Sequence, residues 1–276
     1  MSTLPWAAPA NACDCHVHIY DDAYPLAATA SFKPPHAPLA DYAQVQAQLG
    51  LTRVVVVQPT GYGFDNRCTL AAVAACPGRA RAVAMVPTGV SEGELQDLHA
   101  AGVRGLRVML LSAGLLGWEA LAPLARKIAA LGWHLNVQFD GRELVQRQAL
   151  LQSVNVPLVL DHTGKFLSPP ASTQDPAFEA LCRLLDTGRV WVKLSAPYET
   201  SRSGPPHYED VGLLARHLAA HYPERCLWAS NWPHPNQNPL PSNADLLALL
   251  PQWVARSADL QRILVDNPAQ LYGFSD

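Results

Sequence analysis

The sequence has few charged residues and no basic run. Charged residues make up 16% of the 276 positions, and the formal net charge at pH 7 is −3. Binding to a nucleic-acid backbone requires clustered lysine and arginine, so we expect no nucleic-acid partner. No apolar run approaches the roughly 18–20 residues of a membrane span, and the first residues lack the features of a secretion signal. We therefore expect a soluble, cytoplasmic protein without a membrane partner.

Cysteine spacings typical of metal or redox sites are also missing. The chain has six cysteines, and none of their spacings matches a zinc finger. Cys13 and Cys15 lie too close together for a Cys-x-x-Cys redox motif. A chain of this size with 49% hydrophobic residues builds a large core and does not need disulfides. We expect reduced and mostly buried thiols.

Short β-rich apolar runs recur along the chain. Two of them, 54–57 and 156–160, are continuously apolar, which is typical of parallel strands that are buried on both faces. The predicted strands are 12–18, 53–58, 80–86, 104–110, 133–139, 156–161, 189–194 and 226–230.

Amphipathic segments separate these runs. Ser91 and Glu94 form a capping-box pattern at the start of one segment, and another ends at Gly132 after apolar residues spaced three and four apart. The predicted helices are 65–76, 91–102, 118–132, 175–187 and 207–222.

This repeated order predicts the fold class. Eight β/α units in about 270 residues indicate a closed (β/α)8 TIM barrel, which we expect to form a single domain over 1–276. The alternative is a doubly wound open sheet. That fold usually shows a glycine-rich turn after its first strand, where this chain has His16-Val17-His18. The proline-rich segment 21–40 is long for a loop, so it is a candidate lid or active-site wall.

Polar side chains follow the predicted strands at the end where (β/α)8 barrels carry their active sites. His16 and His18 alternate along one strand, so both side chains point to the same side of the sheet. His162 follows another strand and can converge with them on one ligand or one substrate oxygen. A core imidazole is the alternative for His162. The remaining polar residues at strand ends are Asp14, Gln58, Arg107, Gln138, Asp161, Lys165, Lys193, Tyr198, Asn231 and His234.

Arg107 is the candidate for binding an anion. A guanidinium is costly to bury without an anionic partner, and it binds carboxylates through two parallel hydrogen bonds. A structural salt bridge is the alternative. Five of the other histidines are interpreted as structural or surface residues. They are His36, His99, His134, His217 and His221.

Three motifs in this order resemble the amidohydrolase superfamily. They are Asp14-x-His16-x-His18, the run 161–165 (Asp-His-Thr-Gly-Lys) and the run 228–235 (Trp-Ala-Ser-Asn-Trp-Pro-His-Pro). Within the superfamily they are similar to the branch of 2-pyrone-4,6-dicarboxylate lactonase and D-galactarolactone isomerase. The likeness extends from about residue 10 to the closing run 266–272.

The resemblance implies a (β/α)8 barrel that acts on a carboxylate-bearing lactone without a metal or another cofactor. It implies that His16, His18 and His162 polarise the ester carbonyl. It also implies that basic residues hold the substrate's carboxylates. The expected substrate-binding residues are Arg107, Lys165, His234, Gln138 and Tyr198.

Asn231 departs from the pattern of the lactonase. There the resemblance places an aspartate that activates water, and an amide cannot take a proton near neutral pH. We count Asn231 with the catalytic positions and expect transfer of the acyl group to another hydroxyl of the substrate, as in the isomerase. An engineered replacement of aspartate is the alternative origin of Asn231. The alternative functions are lactone hydrolysis, a metal-dependent hydrolase or decarboxylase with zinc at His16, His18 and His162, and a non-catalytic binder of sugar acids.

Overall fold

Eight parallel strands run in chain order around a barrel in a computed structural model that describes residues 6–112 and 114–275. Each strand overlaps one of the predicted runs, which confirms the (β/α)8 barrel. The strands are β1 (Cys13–Val17), β2 (Arg53–Val57), β3 (Ala80–Ala84), β4 (Val103–Met109), β5 (His134–Gln138), β6 (Leu158–Leu160), β7 (Val190–Ser195) and β8 (Cys226–Ala229).

The barrel closes between β1 and the residues that follow β8. Val17 pairs in parallel with Trp232. The backbone N–H of His18 donates to the carbonyl of Trp232 at 2.8 Å, and the N–H of Asn231 donates to the carbonyl of His16 at 3.0 Å. Two histidines and one asparagine of the predicted site thus take part in the closing hydrogen bonds.

The fully buried side chain of Asp14 reinforces this joint. It accepts the backbone N–H of Ser230 at 2.9 Å and of His16 at 3.2 Å, and the hydroxyl of Tyr42 at 3.2 Å. Burial raises the pKa of Asp14 to about 6, although these hydrogen bonds oppose the shift. One carboxyl group therefore joins β1, the end of β8 and the helix that carries Tyr42.

The helices lie around the barrel, and all five predicted segments contain one. The capping box of Ser91 and Glu94 is present, with Glu94 Oε2 accepting the backbone N–H of Ser91 at 2.8 Å. The helices are α1 (Leu39–Leu49), α2 (Arg67–Ala74), α3 (Glu92–Ala100), α4 (Leu121–Ile128), α5 (Leu144–Ser153), α6 (Pro176–Leu185), α7 (Glu209–His221), α8 (Asn243–Ala248), α9 (Leu250–Trp253), α10 (Ser257–Gln261) and α11 (Asn267–Tyr272).

Six helices were not predicted from the sequence: α8 to α11, which follow β8, and α1 and α5, which connect barrel strands. Only Tyr42 and Leu49 are buried in α1, and only Leu144 and Leu151 in α5. Two buried residues are too few for a clear helical stripe, since a core-facing helix normally repeats apolar residues over each turn. Both helices form because they connect strands that are already placed in the barrel.

The core has two layers that follow the alternation of side chains along the strands. Val54 and Val56 pack in the large layer between strands and helices. Val55 and Val57 belong to a smaller cluster, which also contains Tyr272 and Phe274 of the C-terminal segment. This alternation places the second cluster inside the barrel. All six cysteines are free, and Cys76 and Cys182 are half-buried while the others are buried.

Among the described residues, no helix has the length and the apolar character that crossing a bilayer requires.

Gly105 tests how tightly β4 packs against β5. A Cβ atom at this position would lie 2.4 Å from a ring atom of His134. We expect Gly105→Ala to lower the free energy of unfolding by about 1–3 kcal/mol, measured by urea denaturation. A Cβ atom at Gly93, in the first turn of α3, meets nothing within 4 Å. Gly93→Ala is the matched control and should leave stability unchanged or slightly increased. Equal losses in both variants would contradict this packing.

Candidate active site

A pocket of about 280 Å³ opens at the carboxyl ends of the strands. Six of the predicted site residues line it, together with Ser31 and Phe32 from the proline-rich segment, which therefore forms a wall of the pocket. The six are His18, Arg107, Gln138, His162, Lys165 and Asn231. The other three, His16, Tyr198 and His234, lie outside the lining. Tyr20 and Glu199 line the pocket as well and were not among the predicted site residues.

His16 and His18 contact each other through their side chains. The two Nε2 atoms are 3.2 Å apart, and Nδ1 of His18 donates to the carbonyl of Val57 at 2.7 Å. Burial lowers the pKa of His18 to about 3, and nearby Arg107 adds to the shift. Burial, helped by the charge of Lys193, also holds the pKa of His16 well below its usual range. Both imidazoles are therefore neutral at pH 7.

Lys193 and Asp161 form a fully buried ion pair beside His16. The side chains of both have 0% exposure, and Lys193 Nζ lies 3.1 Å from Asp161 Oδ1. Nζ also donates to Nδ1 of His16 at 3.0 Å and to Oδ1 of Asn136 at 2.5 Å. The amide of Asn136 donates to the other oxygen of Asp161 at 2.8 Å. Burial would raise the pKa of Asp161, but the charge of Lys193 and the contact with His16 hold it well below its usual range.

His162 begins a turn in which the backbone is left-handed. The φ angles of His162, Thr163 and Lys165 are 53°, 54° and 49°, values that are uncommon outside glycine and that cluster at functional sites. Nδ1 of His162 lies 2.9 Å from the hydroxyl oxygen of Ser195 at the end of β7. The His162 and His16 rings lie 5.2 Å apart, so the three predicted histidines do converge. Burial lowers the pKa of His162 well below its usual range.

Asn231 is held by Glu199 and Tyr198. Its Nδ2 donates to Oε1 of Glu199 at 2.8 Å and to the hydroxyl of Tyr198 at 3.0 Å. The other carboxylate oxygen of Glu199 contacts the ammonium of Lys165 in an ion pair. Burial lowers the pKa of Lys165 to about 8. The amide of Asn231 is thus a hydrogen-bond donor to a carboxylate, which an aspartate at this position could not be.

Tyr198 and His234 continue this chain of hydrogen bonds away from the pocket. The hydroxyl of Tyr198 lies 2.9 Å from Nδ1 of His234, and Nε2 of His234 lies 2.8 Å from Oδ1 of Asn243. Since the amide oxygen of Asn243 only accepts, His234 carries its proton on Nε2 and accepts from Tyr198. Both nitrogens of His234 are engaged, so the residue supports Asn231 and has no ring nitrogen left for a substrate.

Arg107 crosses the pocket from β4 and lacks a carboxylate partner among residues 6–112 and 114–275. Its Nη1 donates to the carbonyl of Gln58 at 2.9 Å, and its Nη2 donates to Oε1 of Gln138 at 2.8 Å. The buried Nε has no hydrogen-bond partner there. The structural salt bridge weighed for Arg107 is absent from this part of the chain, and its charge faces the pocket.

Three residues of metal-binding types lie together, with one possible ligand atom each within 4.8 Å of the others. They are His16, Asp161 and His162, so Asp161 replaces His18 in the set that the sequence offered for zinc. Two donors of this group, on His16 and Asp161, already face the ammonium of Lys193 at 3.0 and 3.1 Å.

Several residues that sequence reasoning passed over belong to this site. Lys193 and Asp161 stood at strand ends but received no role. Asn136 and Glu199 were not proposed as site residues. For Asn136, the available signal was an amide two residues before Gln138 on the same predicted strand, since alternate side chains share a face. Of the histidines assigned structural roles, His99 accepts the indole N–H of Trp133 at 2.9 Å.

A family model supports the class that fold and site define. The model described as Amidohydrolase matches residues 13–274. The chain therefore belongs to the amidohydrolase family.

Individual relatives lie within the same branch. The chain is 35% identical to D-galactarolactone isomerase of Agrobacterium fabrum over 274 residues, covering 98% of this chain and 93% of the relative. It is 34% identical to a 2-pyrone-4,6-dicarboxylate hydrolase of Comamonas testosteroni over 281 residues, covering 96% and 90%. A crystal structure of an Agrobacterium tumefaciens protein superposes with a TM-score of 0.92 at 36% identity and covers 98% of both chains.

The buried neutral histidines predict a pH dependence of stability. Burial lowers the pKa of His18 and of His134 to about 3, and that of His234 to about 4. The unfolded chain binds these protons near pH 6.5, so stability is full above that pH and falls as the pH drops towards the folded values. We expect each such histidine to cost about 2 kcal/mol of unfolding free energy between pH 7.5 and pH 5.

Urea denaturation at the two pH values measures this loss. His134→Leu removes one of these three histidines. His134 lies at the amino end of β5, outside the pocket lining, and the variant should show a shallower pH dependence of stability. Equal stability of the parent protein at pH 7.5 and pH 5 would refute the assignment of neutral imidazoles.

Proposed function

We propose that this protein is a lactone isomerase, which moves the ring ester of a carboxylate-bearing lactone to another hydroxyl of the same molecule. Both relatives named above act on lactones or on a pyrone dicarboxylate by name. The observation that carries the proposal is the amide of Asn231, which donates to Glu199 at 2.8 Å in the position where a water-activating carboxylate would stand.

The electrophile in this proposal is the lactone carbonyl, polarised by neutral imidazoles. His18 and His162 line the pocket, and His16 contacts His18 from behind. Hydrogen bonds that are aimed at a developing oxyanion in a buried site stabilise the transition state strongly. Because Nδ1 of His18 already donates to Val57, His162 is the imidazole that can donate to this oxyanion, with His16 and His18 packed beside it.

The nucleophile is a hydroxyl of the substrate. Glu199 is the one carboxylate that lines the pocket among the described residues, and its two oxygens are engaged by Asn231 and Lys165. Water therefore lacks a free carboxylate base. A neighbouring hydroxyl of the bound molecule is already positioned, with an effective molarity of about 10⁵ M or more in favourable cases.

The charges of the pocket favour a lactone with one carboxylate. Lys165 is neutralised by Glu199, and the histidines that line the pocket are neutral. Arg107 alone contributes an unbalanced positive charge. Burying a second carboxylate would leave one negative charge uncompensated, which is costly. We infer a preference for monocarboxylate sugar-acid lactones over dicarboxylates, with Arg107 and Gln138 binding the carboxylate end.

The reaction we propose needs no divalent metal. The ammonium of Lys193 already neutralises Asp161 and donates to His16, so a second cation among the same donors would be repelled. Asn231 adds no negative charge. We therefore derive no catalytic step through a metal ion.

The Glu199–Asn231 pair also bears on the origin of the asparagine. A carboxylate at 231 would face the carboxylate of Glu199 at hydrogen-bonding distance and repel it. The amide complements it. We infer that Asn231 is the native residue of this site, since the carboxylate of Glu199 accepts a hydrogen bond that an amide can donate and a carboxylate cannot.

Arg107→Met tests the carboxylate site. We expect a lower kcat/KM for a monocarboxylate lactone, equivalent to a loss of about 2–4 kcal/mol of transition-state stabilisation, because a charged hydrogen bond is lost. Arg104→Met is the matched control. Arg104 lies three residues earlier on the same strand, and its Nη1 donates to the carbonyls of His99 and Val103. Steady-state kinetics with both variants decides the point, and unchanged kinetics for folded Arg107→Met would assign Arg107 a structural role.

The reaction channel is tested at positions 231 and 199 together. We expect the parent protein, stripped of metal, to convert an aldarolactone into its ring isomer with little open acid, as followed by NMR. Asn231→Asp alone sets two carboxylates against each other. Asn231→Asp/Glu199→Gln restores a carboxylate–amide pair in reverse order and should gain hydrolysis by about 10²–10⁴-fold through general-base catalysis.

Glu199→Gln alone is the control, since it removes the carboxylate without adding a base. All assays are run with and without chelator, because a new carboxylate can also raise metal affinity. Rapid hydrolysis by the parent protein, unchanged in the double variant, would show that the base lies elsewhere and that the protein is a lactonase. Absence of any turnover across a panel of lactones would instead indicate a binding protein.

A further inference from the structure

Lys193 has no role in the reaction described above, although it lies at the centre of the site. It is fully buried on β7 and does not line the pocket. A buried ammonium is costly unless each of its hydrogens has an acceptor. The polar neighbours of Lys193 Nζ are Nδ1 of His16, Oδ1 of Asn136 and Oδ1 of Asp161.

The contact with His16 determines where that imidazole carries its proton. An ammonium group has three hydrogens and no lone pair, so Lys193 donates to Nδ1 of His16 at 3.0 Å and that nitrogen is bare. Neutral His16 then carries its proton on Nε2. Asp161 Oδ1 lies 3.3 Å from the same Nδ1 and 3.1 Å from the ammonium, so it pairs with Lys193 and not with a proton on His16.

The contact of His18 determines the second proton. Nδ1 of His18 meets the carbonyl oxygen of Val57 at 2.7 Å, and a carbonyl only accepts. His18 therefore carries its proton on Nδ1 and presents a bare Nε2. The 3.2 Å contact between the two Nε2 atoms becomes a hydrogen bond from His16 to His18. The hydrogen bonds therefore run in one direction: Lys193 donates to His16, His16 donates to His18, and His18 donates to the carbonyl of Val57.

Removal of the ammonium would reverse the first of these assignments. The carboxylate of Asp161 would then be the nearest charged group to Nδ1 of His16 and would favour a proton there. Two bare Nε2 atoms would face each other at 3.2 Å. Asp161, His16 and His162 would form a buried group of metal donors without a resident cation.

We propose that Lys193 is a positioning residue: its ammonium takes the place of a cation beside His16 and Asp161, two of the three donors that also include His162, and it fixes the proton of His16 on Nε2. A divalent ion is excluded because its place is taken by a side chain. The placement follows from the contacts alone. Its benefit for catalysis rests on the proposed function, since it keeps His16 a donor and His18 an acceptor beside the substrate.

The histidine protons can be observed directly in the full-length protein. Ring-nitrogen NMR with ¹⁵N-labelled histidine separates protonated from bare nitrogens, and His16→Gln and His18→Gln assign the signals. We expect a proton on Nε2 of His16 and on Nδ1 of His18. In Lys193→Met the proton of His16 should move to Nδ1. A proton on Nδ1 of His16 in the parent protein would overturn the proposal.

Zinc binding gives an independent readout. Equilibrium dialysis with Zn²⁺ alone should show tighter binding to Lys193→Met than to the parent protein, by about 10²-fold or more, because a like charge is removed from the donor group. Lys193→Met/Asp161→Asn is the matched control and should lose this gain. Equal zinc affinity of the parent protein and Lys193→Met would contradict the proposal.

Lys193→Met leaves the carboxylate of Asp161 buried without its ion-pair partner, so the folding of this variant is measured as well. Thermal unfolding with and without zinc should show stabilisation by zinc in Lys193→Met and none in the double variant. If Lys193→Met does not fold under either condition, the protonation of His16 in the parent protein decides the question. None of these readouts uses a lactone, so absence of lactone turnover would refute the proposed function and leave this inference intact.

Discussion

The ion pair between Lys193 and Asp161 is the interaction on which the site depends. Both side chains are removed from water completely, so neither charge is tolerable without the other. Breaking a pair of this kind by deleting one partner typically costs about 3–5 kcal/mol. Asn136 satisfies both members, and His16 is oriented by the ammonium. The three converging histidines thus lie around an ion pair and an amide that come from three neighbouring strands, β5, β6 and β7.

The barrel could be predicted because most of its strands and helices have a recognisable pattern in their own local sequence. Continuous apolar runs such as 54–57 require burial on both faces, and the capping box of Ser91 and Glu94 marks a helix without reference to the rest of the chain. The helices α1 and α5 escaped prediction because tertiary placement rather than periodicity maintains them. Weak amphipathicity is sufficient for a helix when the strands before and after it are already fixed.

The site could be predicted only from the rule that (β/α)8 barrels carry their active sites at the carboxyl ends of the strands. That rule found the three converging histidines, Arg107 and Asn231. It could not show that Glu199 matches Asn231, because the two residues lie 32 positions apart in the chain, nor that Lys193 meets His16 across 177 positions. It also assigned His234 to the substrate, whereas its ring nitrogens are engaged by Tyr198 and Asn243. Partnerships between distant side chains are a property of the closed barrel.

The closing joint between β1 and β8 has a consequence for how the enzyme comes into being. His16, His18 and Asn231 use their own backbone groups to join the two ends of the sheet, more than 200 positions apart. A polypeptide that has not yet docked its last strand holds His16 and His18 on an open edge of the sheet, without the residues that follow β8 to complete the pocket. Catalytic competence and completion of the barrel are therefore one event, and the recovery of activity during refolding would report the rate at which the barrel closes.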